Sequence, residues 1–155
     1  MIAQRLVVLG LAATGLYAGW SDAQHRRLSN TLVFLTAISG FVLTAVTVGI
    51  TAAGSGLLHA AVAVLVGLPL FARGYIGGGD VKYYAAVAAW FPIGHGLQLL
   101  ALVSLAGFML TLGWLVWRRL VHKPHAGLPG QGADNVPFGI AIACGALLAA
   151  IGNLL

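Results

Sequence analysis

Acidic side chains are nearly missing from this chain: Asp22, Asp80 and Asp134 are the only three among 155 residues. Chemistry that needs a pair of carboxylates therefore has almost no choice of partners. Charge of either sign is scarce, at 7% of residues against 60% hydrophobic, and mean hydropathy reaches +0.98. So few polar groups cannot cover a water-soluble surface of this size, which excludes a soluble globule. A single cysteine, Cys144, excludes an intramolecular disulfide. Standing in an apolar run, it is expected to act as a small buried hydrophobe. No internal repeat or low-complexity tract is evident, and the apolar segments are too uneven for an inverted repeat.

What the chain does contain is a series of apolar runs, 2–20, 31–50, 57–71, 81–91, 97–117 and 136–155, separated by glycine, proline or short basic clusters. These predict an all-α polytopic membrane protein, a bundle of about six transmembrane helices forming a single domain over 1–155. The first run resembles a signal peptide in length, but lacks a small-x-small cleavage site before a polar region and is expected to be retained. The segment 52–56 reads as an uncharged turn between the second and third helices. The fourth run, at about eleven residues, is short, and is expected to cross as a short or tilted helix ending at Pro92.

The formal charge of +5 raises the question of nucleic acid, but the basic residues fall between apolar runs, as topology signals do. Arg26, Arg27, Arg73, Lys82, Arg118, Arg119 and Lys123 share one face under the six-helix reading, leaving Arg5 alone on the other. The positive-inside bias then puts the N-terminus outside and all three aspartates on the cytoplasmic side. The expected partner is the lipid bilayer, with no nucleic acid. Trp20, Trp114 and Trp117 read as interfacial belt residues, and His59 as a structural histidine near the outer start of the third helix.

Ionisable groups at membrane depth are costly, which makes Asp22 and Asp80 functional candidates. Two carboxylates brought together cannot both ionise cheaply. One protonated and one charged acid can activate a water against a peptide carbonyl and protonate the developing oxyanion, with no metal or other cofactor required. Asp80 follows Gly77, Gly78 and Gly79, which lack side chains and would let a substrate backbone lie close to the acid. Plainer alternatives exist. Asp22, Arg26 and Asn30 are spaced four apart, so on a continuous helix Asp22 pairs with Arg26; Asp80 after glycines suits an N-cap. Lys82 reads first as a topology signal, although a nearby ammonium favours the ionised state of one acid. A phosphate-binding loop is disfavoured because Tyr83, not Ser or Thr, follows the lysine. His122 and His125 lack further ligands for a metal, and Asp134 reads as a turn or cap residue.

These residues resemble a known family. Asp22, Arg26, Leu28 and Asn30 resemble the first motif of the type IV prepilin peptidases, and Gly77-Gly78-Gly79-Asp80-Val81-Lys82 matches their Gly-x-Gly-Asp-Val-Lys motif. Val136-Pro137-Phe138-Gly139, followed by an Ala-rich run, is similar to the family's final segment. Ser29 stands where the family usually has Pro, and Leu28 where it often has Ile. The resemblance implies an aspartic membrane protease with Asp22 and Asp80 as the catalytic pair, and Gly77, Gly78, Gly79, Lys82, Arg26 and Asn30 as supporting residues. Its implied partner is a prepilin-like precursor, whose short basic leader is removed at the cytoplasmic side of the inner (plasma) membrane before a hydrophobic helix. With no cysteine pair and no N-terminal methyltransferase-type region, the chain resembles the short, peptidase-only members associated with Flp or Tad pili, or the archaeal prearchaellin enzymes. A presenilin-like reading fits less well, since Trp20 and Ser21 precede Asp22 where a Tyr-Asp motif would stand. The alternative from another class is a small transport or pilus-assembly subunit using Asp22 and Asp80 for protons or partner binding.

Overall fold

The computed structural model describes residues 2–25, 28–121 and 138–152. Among these, every regular element is helical: α1 (Ile2–His25), α2 (Asn30–Thr47), α3 (Ile50–Ala72), α4 (Gly78–Ala88), α5 (Gly96–Val121) and α6 (Phe138–Gly152), with a 3-10 turn at Ile93–His95 leading into α5. Three stretches, Asn30–Thr47, Ile50–Ala72 and Ile93–Trp117, are long and apolar enough to cross a bilayer, and Phe138–Gly152 is a shorter apolar helix. Phe34, Val46, Leu65 and Phe108 are exposed. Such a surface suits acyl chains, not water.

Two of the differences from the expected helix ends concern the turns on either side of α2, each for a local reason. Leu28 and Ser29 are not helical, and Ser29 is the N-cap of α2, its Oγ accepting from the Leu32 N–H at 3.1 Å. A continuous helix from Asp22 to Asn30 is thereby corrected: the two residues stand on different helices. Arg26, the expected partner of Asp22, lies outside the described residues, as do His122, His125 and Asp134. The second correction concerns the turn expected at 52–56. The chain reverses instead at Gly49, whose φ of 122° no side-chain-bearing residue adopts readily, so residues 52–56 are free to belong to α3. At its other end α3 closes on Gly74 (φ 75°), with the Gly74 N–H bonded to the Phe71 carbonyl and the Tyr75 N–H to that of Leu70. This paired termination sends the chain into the glycine run.

α4 is short because it is interior. Its eleven residues make a helix about 16 Å long, packed against α2, α3 and α6. Val81, Tyr83 and the run from Ala85 to Ala88 are all buried, so the second half of the helix is apolar on nearly every side, as an enclosed segment requires. It runs antiparallel to α3, with Val81 against Gly67 and Ala89 against Gly56. Beyond it, the Trp90 indole N–H donates to the Thr36 carbonyl at 2.9 Å, and His59 Nδ1 lies 3.0 Å from the Phe91 carbonyl oxygen. These contacts fix the far end of α4 and its tail. Around it, α1 packs on α2, α2 on α3, and α6 on both α1 and α5. Between α3 and α5 a cleft of about 530 Å³ runs along the bundle.

Candidate active site

Leu11, Gly15, Ala18 and Asp22 recur at the spacing of one face of α1, and all four are buried. Gly15 and Gly19 let that face close on α6: a Cβ at Gly15 would stand 3.2 Å from the Ala143 Cβ, and one at Gly19 3.5 Å from Ile140. One turn further on, Asp22 meets the start of α6. Its side chain is 8% exposed, and Oδ2 accepts a hydrogen bond from the Gly139 backbone N–H at 2.8 Å. First-turn N–H groups have no partner within their own helix, and the positive end of the helix favours an anion there. Asp22 supplies both needs at once.

Asp80 is positioned differently. The N-cap of α4 is Gly77, in extended conformation (φ −67°, ψ 139°) and with no side-chain cap bond, which leaves Asp80 as the third helical residue. The expected N-cap alternative is corrected accordingly: the helix starts as soon as Gly77 straightens. Gly77 is not among the positive-φ glycines, nor are Gly78 and Gly79, so their contribution is space. A Cβ at Gly77 would lie 2.8 Å from Asp80 Oδ2, and one at Gly78 3.0 Å from the Phe71 ring. At Gly79 the nearest atom is the Leu28 Cβ, 3.9 Å away. Asp80 is thus half-buried, with room beside it, and it lines the cleft between α3 and α5.

The fold brings the two acids into one neighbourhood. Phe138, which lines the cleft together with Asp80, directly precedes the Gly139 that holds Asp22. Lys82 and Asn30 are also brought together, across α4 and the start of α2: Lys82 Nζ donates to Asn30 Oδ1 at 3.2 Å on the exposed side. Cys144, expected to be buried, is exposed; its neighbours Ala143 and Gly145 take the inward positions of α6, which turns residue 144 outward. Sequence reasoning missed Gly139 as a partner of Asp22. The available signal was a glycine heading a helix of small residues, where a neighbouring element can approach closely.

A model of the type IV leader peptidase family matches residues 9–112, a span that contains both Asp22 and Asp80. The chain belongs to the type IV leader peptidase family. Comparisons with curated proteins and with solved structures return no match. Family membership implies a peptidase, and the family acts on prepilin-like substrates; the apolar helices of the chain suit insertion in a membrane. The match ends within α5 and does not reach α6.

Proposed function

We propose that this type IV leader peptidase is an aspartic endopeptidase in which Asp22 and Asp80 are the catalytic pair. One acid, ionised, takes a proton from a water molecule as it attacks the scissile carbonyl. The other, protonated, gives its proton to the carbonyl oxygen as the tetrahedral intermediate forms. Collapse of that intermediate breaks the C–N bond, and the leaving amine takes up a proton from the pair. Asp22, bonded to a helix-terminal N–H, suits the base; Asp80, facing the cleft, suits the acid that reaches the substrate.

The observation that carries this reading is an apolar cleft with the Asp80 carboxylate on its wall, lined also by Phe138, whose neighbour Gly139 holds the Asp22 carboxylate. A precursor with a short basic leader before a hydrophobic helix matches both parts: the helix lies along the cleft, and the junction with the leader sits at Asp80. In this reading residues 1–155 act as one membrane peptidase domain of six helices, with the Asp22 and Asp80 end facing the cytoplasm across the inner (plasma) membrane. The substrates are Flp or Tad prepilins or their relatives, and the basic clusters at that end support the orientation. Gly77, Gly78 and Gly79 keep space for the substrate backbone, while Lys82 and Asn30 tie α4 to α2 beside it.

The test replaces each acid with its amide. Asp22→Asn and Asp80→Asn, co-expressed with a prepilin, are each expected to reduce leader removal by at least about 100-fold, in the range found for removed acid–base groups. Leader removal at the normal rate in either variant would rule out the paired-acid mechanism.

A further inference from the structure

Gly139 lies outside the matched residues 9–112, and the paired-acid mechanism by itself assigns it nothing. It is nevertheless the residue to which Asp22 is bonded. A Cβ at position 139 would stand 2.8 Å from Asp22 Oδ2, 3.2 Å from Cγ and 3.3 Å from Cβ. Any side chain there must therefore displace the whole carboxyl group, not the tip of a flexible chain.

Gly139 is itself held on the opposite side. The Phe138 ring lies over Gly107 of α5, where a Cβ would meet it at 2.7 Å. Two turns along, Gly145 lies against the backbone of Val103, with a Cβ there 2.5 Å from the Val103 Cα. The start of α6 is thus clamped between α1 and α5, and its first-turn N–H points at a fixed place.

We infer that Gly139 is a positioning residue for peptide hydrolysis: its backbone N–H holds one oxygen of Asp22 and its missing side chain lets the carboxyl group turn toward Asp80. The inference rests on Asp22 and Asp80 being the catalytic pair. The bond takes nothing from α6, because that N–H has no acceptor within its own helix. It commits one carboxyl oxygen to the scaffold and leaves the other for the attacking water. Alignment of this kind matters to rate, since a misplacement of about 1 Å at a reacting group can cost on the order of 100-fold.

The test uses the full chain in lipid nanodiscs and a purified prepilin, with kcat, KM and thermal melting measured together. Gly139→Ala is expected to lower kcat by at least about tenfold, with KM within about twofold of the parent, because the substrate still binds but the base is misplaced. A second variant, with glycolic acid in place of Gly139, exchanges the amide for an ester, so the N–H is removed and no bulk is added. It is expected to lower kcat in the same way, and it decides the matter if the alanine variant does not fold. Unchanged kcat in the ester variant, or a loss of rate that only follows a loss of folded protein, overturns the positioning role. Asp22→Asn in the same assay separates the two ideas. If it is inactive while the ester variant is fully active, the paired acids stand and Gly139 does not; if it is active, the paired acids fall and the positioning role with them.

Discussion

Asp22 is 8% exposed, in a seam where α1 and α6 close on each other through Gly15, Gly19 and Ala143, whereas Asp80 stands on the wall of a cleft of about 530 Å³ between α3 and α5. The first acid meets a backbone donor from a helix terminus; the second has glycines and open space beside it. One carboxyl group is held and the other is presented. A water-activating pair needs both: an acid fixed well enough to aim a water, and one that a substrate carbonyl can approach. Small residues produce the difference at each place, by permitting contact in the seam and by withholding it near the cleft.

Lengthening each acid by one methylene should expose that difference most strongly. Asp22→Glu pushes a carboxylate into Gly139 and the head of α6, and overpacking of this kind costs about 1–3 kcal/mol. Asp80→Glu extends into the cleft and should leave stability within about 0.5 kcal/mol of the parent. Thermal melting in detergent compares the two directly. Equal losses would mean that Asp80 is as tightly enclosed as Asp22, and the contrast would collapse.

A smaller effect should come from filling the cleft. Val66 on α3 lines it and is 60% exposed, so Val66→Trp takes up space there without disturbing the buried side of the helix. With an intact precursor, KM is expected to rise about tenfold, equivalent to about 1.4 kcal/mol of lost binding, while kcat stays near its parent value. A water-soluble peptide spanning only the leader junction should be cleaved as before. If both substrates suffer equally, the hydrophobic helix of the precursor lies elsewhere, and the cleft does not present Asp80 to it.

Much of this arrangement was legible in the residues, and the parts that were not share a cause. The scarcity of acids singled out Asp22 and Asp80, and hydropathy located the six helices of the described residues to within a few residues at most ends. What could not be read was which small residues bend the chain and which bring helices together. Gly49 makes the turn between α2 and α3, while Gly56, in the stretch expected to turn, packs against Ala89. Composition alone does not distinguish these uses, because glycine serves positive φ and close approach equally well. The shortness of α4 was visible, but its central place depends on α2, α3 and α6 enclosing it. Gly139 is the extreme case, since its contact with Asp22 joins residues 117 positions apart.

The smallest expected effect concerns the link between the two regions' supports. Lys82 Nζ reaches Asn30 Oδ1 at 3.2 Å, joining α4 just beyond Asp80 to the first residue of α2. The bond is exposed, and exposed polar links of this kind are worth less than about 1 kcal/mol because water competes for both groups. Lys82→Met keeps most of the side-chain length and removes the donor; Asn30→Ala removes the acceptor. Each should change kcat/KM by less than about twofold, and the double variant should match either single one, since both delete the same contact. A loss in Lys82→Met approaching that of Asp80→Asn, with Asn30→Ala unaffected, would give a different answer. The ammonium would then act on the acid or the leader directly, and the presented half of the site would contain a cation as well as a carboxylate.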